Sequence, residues 1–336
     1  MHEAHALWML APRQVALRPE EIGPLAADAV TVRARKSAIS HGTEMLVYRG
    51  QVDATLALDL PTFAGSFAFP IKYGYALVGE VVAVGANVTS HRCGDHVFVL
   101  HPHQSLCQVP AGQAQRIPAD VAIESALFAA NMETAITIVH DVRPALGEVV
   151  VVMGLGIVGL LVSWLLSRMQ GITVIAVDPL EWRQAVARQL GLSCVVHPDA
   201  LPTLVDATTA LRGVDAVVEV SGNPLALDSA IALTAVEGRV IVASWYGTKA
   251  ATLQLGTHFH RKRIQLRATQ VGRLSPDLAP RWDFARRMDT VWQLLRALPY
   301  QQVMSHSFAF ADAAAAYALI DAGHAGVVQV VFDYEV

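Results

Sequence analysis

The pattern of apolar and polar positions changes rhythm twice along the chain. Up to about residue 126, short valine-rich runs are bounded by turn residues. "AVTVRARKSAIS" (29–40) and "ALVGEVVAVGANV" (76–88) predict half-buried strands, and "HRCGDHVFVL" (91–100) predicts a turn followed by a strand. Residues 51–73, "QVDATLALDLPTFAGSFAFPIKY", follow neither a helical nor a strand period and predict a long loop or insertion over a site. From about residue 149 strands and helices alternate. "EVVVVM" (148–153), "TVIAVD" (173–178), "DAVVEVS" (215–221), "RVIVASW" (239–245) and "IQLRATQV" (264–271) predict strands. "LLVSWLLSRM" (160–169), "EWRQAVARQLG" (181–191) and "LALDSAIALTAVEG" (225–238) predict the helices between them. Near-continuous apolar strands alternating with helices make an α/β, doubly wound parallel sheet covered on both faces. A further helix is expected over 282–298. Residues 305–334 then turn β again, with the alanine run 313–316 as a helix. The expected division is a β-rich substrate domain from 1–126 and 301–336, and a Rossmann domain from 127–300.

Gly154-x-Gly156-x-x-Gly159 closes the first of these strands and opens a helix, with Asp178 at the end of the next strand, 19 residues past Gly159. Strand, glycines, helix, second strand and terminal acid together form a dinucleotide-binding arrangement. Gly154 makes the tight turn. Gly156 lets the backbone approach a pyrophosphate, and Gly159 lets the helix pack closely on the strand. The pyrophosphate then rests on the helix N-terminus, at Ile157 and Val158. A carboxylate at Asp178 bonds the ribose hydroxyls and repels a 2′-phosphate, which favours NAD(H) over NADP(H). Arg183 either flanks the same ribose or is an ordinary surface arginine. Gly222, Ser244 and Val271 fall at the ends of neighbouring strands, where ligands of open α/β sheets bind. Trp245 and Tyr246 form either an aromatic substrate wall or a plug between domains.

Composition narrows the remaining classes. The chain has 336 residues, 53% of them apolar and 16% charged, which allows two domains with large cores and argues against disorder. With a formal net charge of −4 and one short basic cluster at 258–263, nucleic acid is not an expected partner. The most apolar stretch, 149–166, is broken by glycines and predicts a buried strand and helix, not a membrane span. Three cysteines, no paired framework and no secretory leader predict a cytoplasmic protein.

The order of the pieces resembles the medium-chain dehydrogenase/reductase family over nearly the whole chain. "SAISHGTEMLVYRG" (37–50) is similar to the segment around that family's first catalytic-zinc ligand, usually "ICGTD". "KYGYALVGEVVAVG" (72–85) resembles "PGHEFVGEVVEVG", "CGDHVFV" the "GDRV" turn, and "ANMETAITIVHD" (130–141) the "EPLSVGIHA" helix. The closing "HSFAFADAAAAYALIDAGHAGVVQVV" is also similar. The resemblance implies a GroES-like β-rich domain beside the Rossmann domain, a cleft between them, and a homodimer joined through the Rossmann sheet. The apolar "RVIVASW" is the one feature of the sequence itself that suggests a sheet edge for such a contact.

The departures concern zinc. His41 stands at the family's cysteine ligand, Tyr75 and Ala76 stand where it has "HE", and the four-cysteine structural lobe is missing. Neither a catalytic nor a structural zinc is therefore expected. The closest subgroup is the zinc-lacking members with "GIS-x-GTE" and "ANMETA" segments. Hydroxyethyl-bacteriochlorophyllide dehydrogenases share the "GIS-x-GTE" segment.

A hydride transfer without metal needs other groups to orient the substrate and move a proton. His41 either faces the nicotinamide or merely hydrogen-bonds nearby. Thr43 falls where the family has a proton-relaying hydroxyl, or is a structural turn residue. Tyr75 either donates to a carbonyl oxygen or packs. Glu133 takes a site role or pairs with a nearby cation, because burying a carboxylate alone is costly. Glu44 is a secondary candidate for an internal salt bridge. The expected activity is a zinc-independent, NAD(H)-dependent interconversion of an alcohol and a carbonyl on a small or medium-sized molecule. A quinone or enoyl reductase is the alternative enzyme, and a non-catalytic NAD(H) sensor the alternative of another class.

Overall fold

The computed structural model describes residues 4–58 and 65–335. The chain divides into two compact units, Met1–Ala130 with Trp292–Val336, and Asn131–Val291. The change-overs fall inside the helices Ala129–Val142 and Phe284–Ala297, so neither is a loop of the kind that composition reveals.

The first unit is built on Ala29–Ile39. It pairs antiparallel with Leu77–Val84, Leu106–Pro110 and Val330–Asp333. His96–Val99 and Gln115–Arg116 extend the sheet on one side and His306–Ala309 on the other. A hairpin of Ala4–Ala11 and Gln14–Glu20, absent from the sequence reading, turns at Arg13 with φ 61°. Its inward residues Leu7 and Met9 join Ile39, Met45, Tyr317 and Phe332 in one apolar core. The terminal segment is β, helix, β as expected, with Ala313–Asp321 as the helix. Of the long loop 51–73, residues 59–64 lie outside the described residues. The described flanks form no strand or helix and are tied by single bridges, Ala57 to Ser66 and Met9 to Ile71.

The second unit holds a six-stranded, all-parallel sheet. Its order is Val195–Val196, Thr173–Val177, Val149–Met153, Val214–Glu219, Thr234–Val242, Gln265–Ala268. The chain starts in the middle and winds outward both ways, so the direction reverses beside Val149–Met153. That is the topological switch point at which dinucleotides bind in such sheets.

Three boundaries differ from the sequence reading. The helix expected over 225–238 ends at Leu233, and Thr234 begins the next strand. Thr234 Oγ1 bonds back to Ala230 O, and Glu237 at φ 61° makes an irregularity inside the strand that pattern reading took for helix. That strand stops at Val242, not Trp245. It lies inside the sheet, which removes the suggestion that "RVIVASW" is an edge. The last strand ends at Ala268, so Val271 sits in the turn beyond it. Among the described residues no helix is long and apolar enough to cross a membrane.

Candidate active site

The glycine turn shows why each glycine is there. Gly154 has φ 104°, and a Cβ on it would lie 2.6 Å from Ser221 Cα. A Cβ on Gly159 would lie 1.8 Å from Gly154 O, so only glycine lets this helix sit against the turn. A Cβ on Gly156 would meet nothing within 4 Å. The space that glycine leaves there is open, as a ligand approaching the backbone requires. Gly156 caps the helix Ile157–Leu166, whose first amides, Ile157 and Val158 among them, have no acceptor within the helix.

Asp178 is 2% exposed and anchored to this turn. Its Oδ2 accepts from Leu155 N at 2.8 Å, and its Oδ1 accepts from Leu180 N at 2.9 Å. Arg183 Nη1 lies 3.4 Å from Oδ2, so Arg183 belongs to the Asp178 cluster and not to an unrelated surface.

The carboxyl end of Val214–Glu219 carries a group that sequence reasoning missed. Glu219 is fully buried. Its Oε1 accepts from the Ser221 amide and hydroxyl, and its Oε2 accepts from the Tyr246 hydroxyl. Ser244 Oγ accepts from Gly222 N at 2.8 Å. Burial and Glu219 both raise the Tyr246 pKa. The Tyr246 hydroxyl is thus tied to the end of the strand Val214–Glu219, and Trp245 is 38% exposed. The signal available in the sequence was the acid ending the apolar run "DAVVEVS".

Glu133, left open between a site role and a cation pair, has a cation. Its Oε1 accepts from Arg287 Nη2 at 2.8 Å, with both side chains buried. Burial still raises the Glu133 pKa, against the opposing pull of Arg287. Arg287 Nη1 also donates to Thr137 Oγ1 at 3.0 Å and to Val271 O at 2.6 Å. Val271 is thus tied to the Glu133–Arg287 pair through its carbonyl, although it does not end a strand.

In the first unit, the strand Ala29–Ile39 leads into a turn that carries Ser40, His41 and Thr43 and opens the short helix Thr43–Tyr48. Tyr75 donates to Ser40 Oγ at 2.5 Å, and Thr43 is a second hydrogen-bond partner of the phenol. Burial pushes the Tyr75 pKa up to about 12, against the smaller effects of Ser40 and Thr43. His41 is half-buried on the same turn. Behind it lies a buried network of which only Glu44 was anticipated. Glu44 Oε2 accepts from Ser40 N at 3.0 Å, and Oε1 accepts from the Tyr317 hydroxyl and contacts His103 Nε2 at 2.8 Å. His103 Nδ1 is 2.7 Å from Ser37 Oγ. Nearby His101 has its pKa lowered by burial to about 4 and is neutral at pH 7. Among the described residues no three His, Cys, Asp or Glu side chains gather to hold a metal ion, and the three cysteines are unpaired.

Two family comparisons match this architecture unit by unit. Residues 26–142 match the alcohol dehydrogenase GroES-like domain, and residues 158–287 match the zinc-binding dehydrogenase domain. The chain belongs to the zinc-type medium-chain alcohol dehydrogenase family. It is an NAD(P)-dependent dehydrogenase/reductase of that family. D-guloside 3-dehydrogenase of Escherichia coli K12 is 28% identical over 305 residues, spanning 85% of this chain and 86% of the relative. The 2-desacetyl-2-hydroxyethyl bacteriochlorophyllide A dehydrogenase of Cereibacter sphaeroides is 26% identical over 282 residues, 78% of this chain and 80% of that one. Among solved structures, a short chain alcohol dehydrogenase from E. coli CFT073 complexed with NADH superposes with a TM-score of 0.79 at 18% identity. It covers 99% of this chain and 100% of that one, and shows the shared fold.

Proposed function

We propose that the protein is a zinc-independent, NAD(H)-dependent oxidoreductase that interconverts a secondary alcohol and its ketone. The observation that carries this reading is the Tyr75 hydroxyl on Ser40 Oγ, at the position where the resemblance has a histidine metal ligand.

The residues fit a dinucleotide. Gly154 and Gly159 are sterically forced, Gly156 leaves open space at the helix N-terminus, and Asp178 is fixed beside them. They do not fit a catalytic zinc. The Tyr75 hydroxyl is bonded to Ser40 Oγ, the Ala76 side chain offers no donor, and the Glu133 carboxylate is bound by a guanidinium. A zinc site needs three or four deprotonated N, S or O donors, of which only His41 remains at the family positions.

Bound NADH would supply the hydride. The protein's part is to hold the substrate oxygen and provide a proton. Tyr75 is neutral near pH 7; with substrate present the Ser40 hydroxyl turns to donate to the phenol oxygen, which frees the one phenol proton to pass to the substrate oxygen as negative charge develops, and water returns a proton to the phenolate afterwards. Ser40 and Thr43 fix the direction of the phenol, and Ser40 is itself fixed by Glu44. His41 stands on the same turn. Asp178 and Arg183 hold the adenosine ribose and set the preference for NAD(H). The similarity to D-guloside 3-dehydrogenase supports a ring hydroxyl of a sugar-like molecule as the substrate class. NADH turnover on a panel of keto-sugars, simple ketones, quinones and enones tests the reading. Turnover confined to quinones or enones would replace it with a double-bond reductase, and binding without any turnover with a sensor.

A further inference from the structure

We infer that His103 is a positioning residue for the Tyr75–Ser40 pair, holding both of its halves at once. The inference rests on the reading of Tyr75 as the proton donor.

One path runs from His103 to Ser40. His103 Nε2 lies 2.8 Å from Glu44 Oε1, and a carboxylate only accepts, so the ring nitrogen donates. The other oxygen of the same carboxylate accepts from Ser40 N at 3.0 Å. The backbone of Ser40 is thereby fixed, and with it the place of the hydroxyl that meets the phenol. A second path runs from His103 to Tyr75 and does not pass through Glu44. Gly74, the residue before Tyr75, has φ 128°. A Cβ on Gly74 would lie 2.8 Å from both Cδ2 and Nε2 of His103, so the imidazole lies directly against this backbone. The ring therefore stands between the segment that presents Tyr75 and the carboxylate that holds Ser40.

His103 is itself held on its remaining sides. Its Nδ1 is 2.7 Å from Ser37 Oγ, which lies 2.8 Å from the Tyr334 hydroxyl. Phe332 meets the imidazole edge to face, with ring centroids 5.0 Å apart. On the backbone, Leu7 N donates to His103 O at 2.9 Å. Ser37, Glu44 and His103 are fully buried. Exchanging buried polar partners for apolar groups of the same shape is close to neutral for stability, so stability alone does not call for this trio. A satisfied buried network does make its members rigid, and the end of this one is the Tyr75–Ser40 pair.

Crystal structures and steady-state kinetics of variants in the full chain test this. His103→Leu removes both hydrogen bonds and the flat ring face. It is expected to open the contact of the Tyr75 hydroxyl with Ser40 Oγ from 2.5 Å to beyond about 3.5 Å, outside hydrogen-bond range. With NADH and the keto-sugars of the panel, kcat is expected to fall about tenfold to a hundredfold, the scale of a small misplacement, while NADH affinity stays within about twofold. His103→Gln, which keeps a donor for Glu44, is expected to fall between. In a Tyr75→Phe background, His103→Leu is expected to cost less than about twofold more, because the two act through one contact. Should His103→Leu fail to melt cooperatively, Ser37→Ala frees the far side of the ring, leaves Glu44 alone and carries the same cycle with a smaller loss. An unchanged Tyr75–Ser40 contact, or the full loss repeated in the Tyr75→Phe background, would overturn the inference alone. Tyr75→Phe at the wild-type kcat, or no ketone turnover by wild type, would overturn the Tyr75 reading instead, and the crystal comparison then decides by itself whether His103 sets the pair.

Discussion

The Tyr75 hydroxyl lies 2.5 Å from Ser40 Oγ, and Ser40 is the first residue of the turn that carries His41 and Thr43. If this pair supplies the proton, Tyr75→Phe lowers kcat by about 10²–10⁴, the usual range for a general acid, and leaves NADH affinity unchanged. Ser40→Ala, which misdirects the phenol without removing it, gives a smaller loss. Steady-state kinetics beside NADH titration check both. Equal losses in kcat and in cofactor binding would point to a folding defect instead.

The same phenol has a pH signature. Burial raises the Tyr75 pKa from 10 to about 12, so the protonated form persists to higher pH than for a free tyrosine. Carbonyl reduction is then expected to lose no activity to Tyr75 ionisation between about pH 6 and pH 9, well below either value. In Tyr75→Phe the pH profile keeps its shape over that range at a lower height. A profile that falls on an alkaline limb near pH 8 in wild type, and loses that limb in Tyr75→Phe, would contradict the raised pKa.

Asp178 and the glycines separate binding from folding. Asp178→Ala is expected to weaken NADH about tenfold through loss of charge-assisted bonds, and to narrow the gap to NADPH, leaving Arg183 free for a 2′-phosphate. Gly156→Val fills space that is open, so the protein keeps its Tm and loses both cofactors. Gly159→Val drives a side chain into Gly154 O and is expected to cost about 3 kcal/mol of stability or more. Thermal melts run with cofactor titrations distinguish the two.

Glu44 is fully buried and receives bonds from Ser40 and Tyr317 beside His103. Glu44→Ala leaves those partners unpaired, and a loss of about 3–5 kcal/mol is expected by chemical denaturation. A loss below about 1 kcal/mol, the scale of an exposed pair, would show that the network is wet.

The homodimer is a proposal that now rests on a different strand. Gln265–Ala268 ends the sheet and is largely exposed, and among the described residues it pairs with no strand but Thr234–Val242. Light scattering at micromolar concentration is expected to give twice the chain mass of 36.1 kDa, and a Leu266→Glu variant half of that. A monomeric wild type would remove the proposal.

What the sequence disclosed was what depends on local pattern. The glycine turn and Asp178 were legible because two strands, three glycines and one acid all lie within residues 149–178, and the later strands because each carries its own apolar run. The hidden parts depend on residues far apart in the chain. Arg287 meets Glu133 across 154 positions and Tyr317 meets Glu44 across 273, and no spacing rule announces either pair. The helix that was expected to run on to 238 failed for a local reason. Thr234 and the left-handed Glu237 turn an alanine-rich helical pattern into a strand. Ser40 was within sight in "SAISHGTE", but a serine beside a turn has no signature until Tyr75 is brought to it.

The central claim is hydride transfer with a tyrosine in place of zinc, and metal content measured together with turnover tests it most directly. Protein purified with zinc in the medium, then dialysed against a chelator, is assayed by elemental analysis and by NADH oxidation on the best substrate of the panel. The expected result is far less than one zinc per chain at both stages and an unchanged rate. One zinc per chain before dialysis, with activity lost on chelation, restored by added zinc and abolished in His41→Ala, would contradict it.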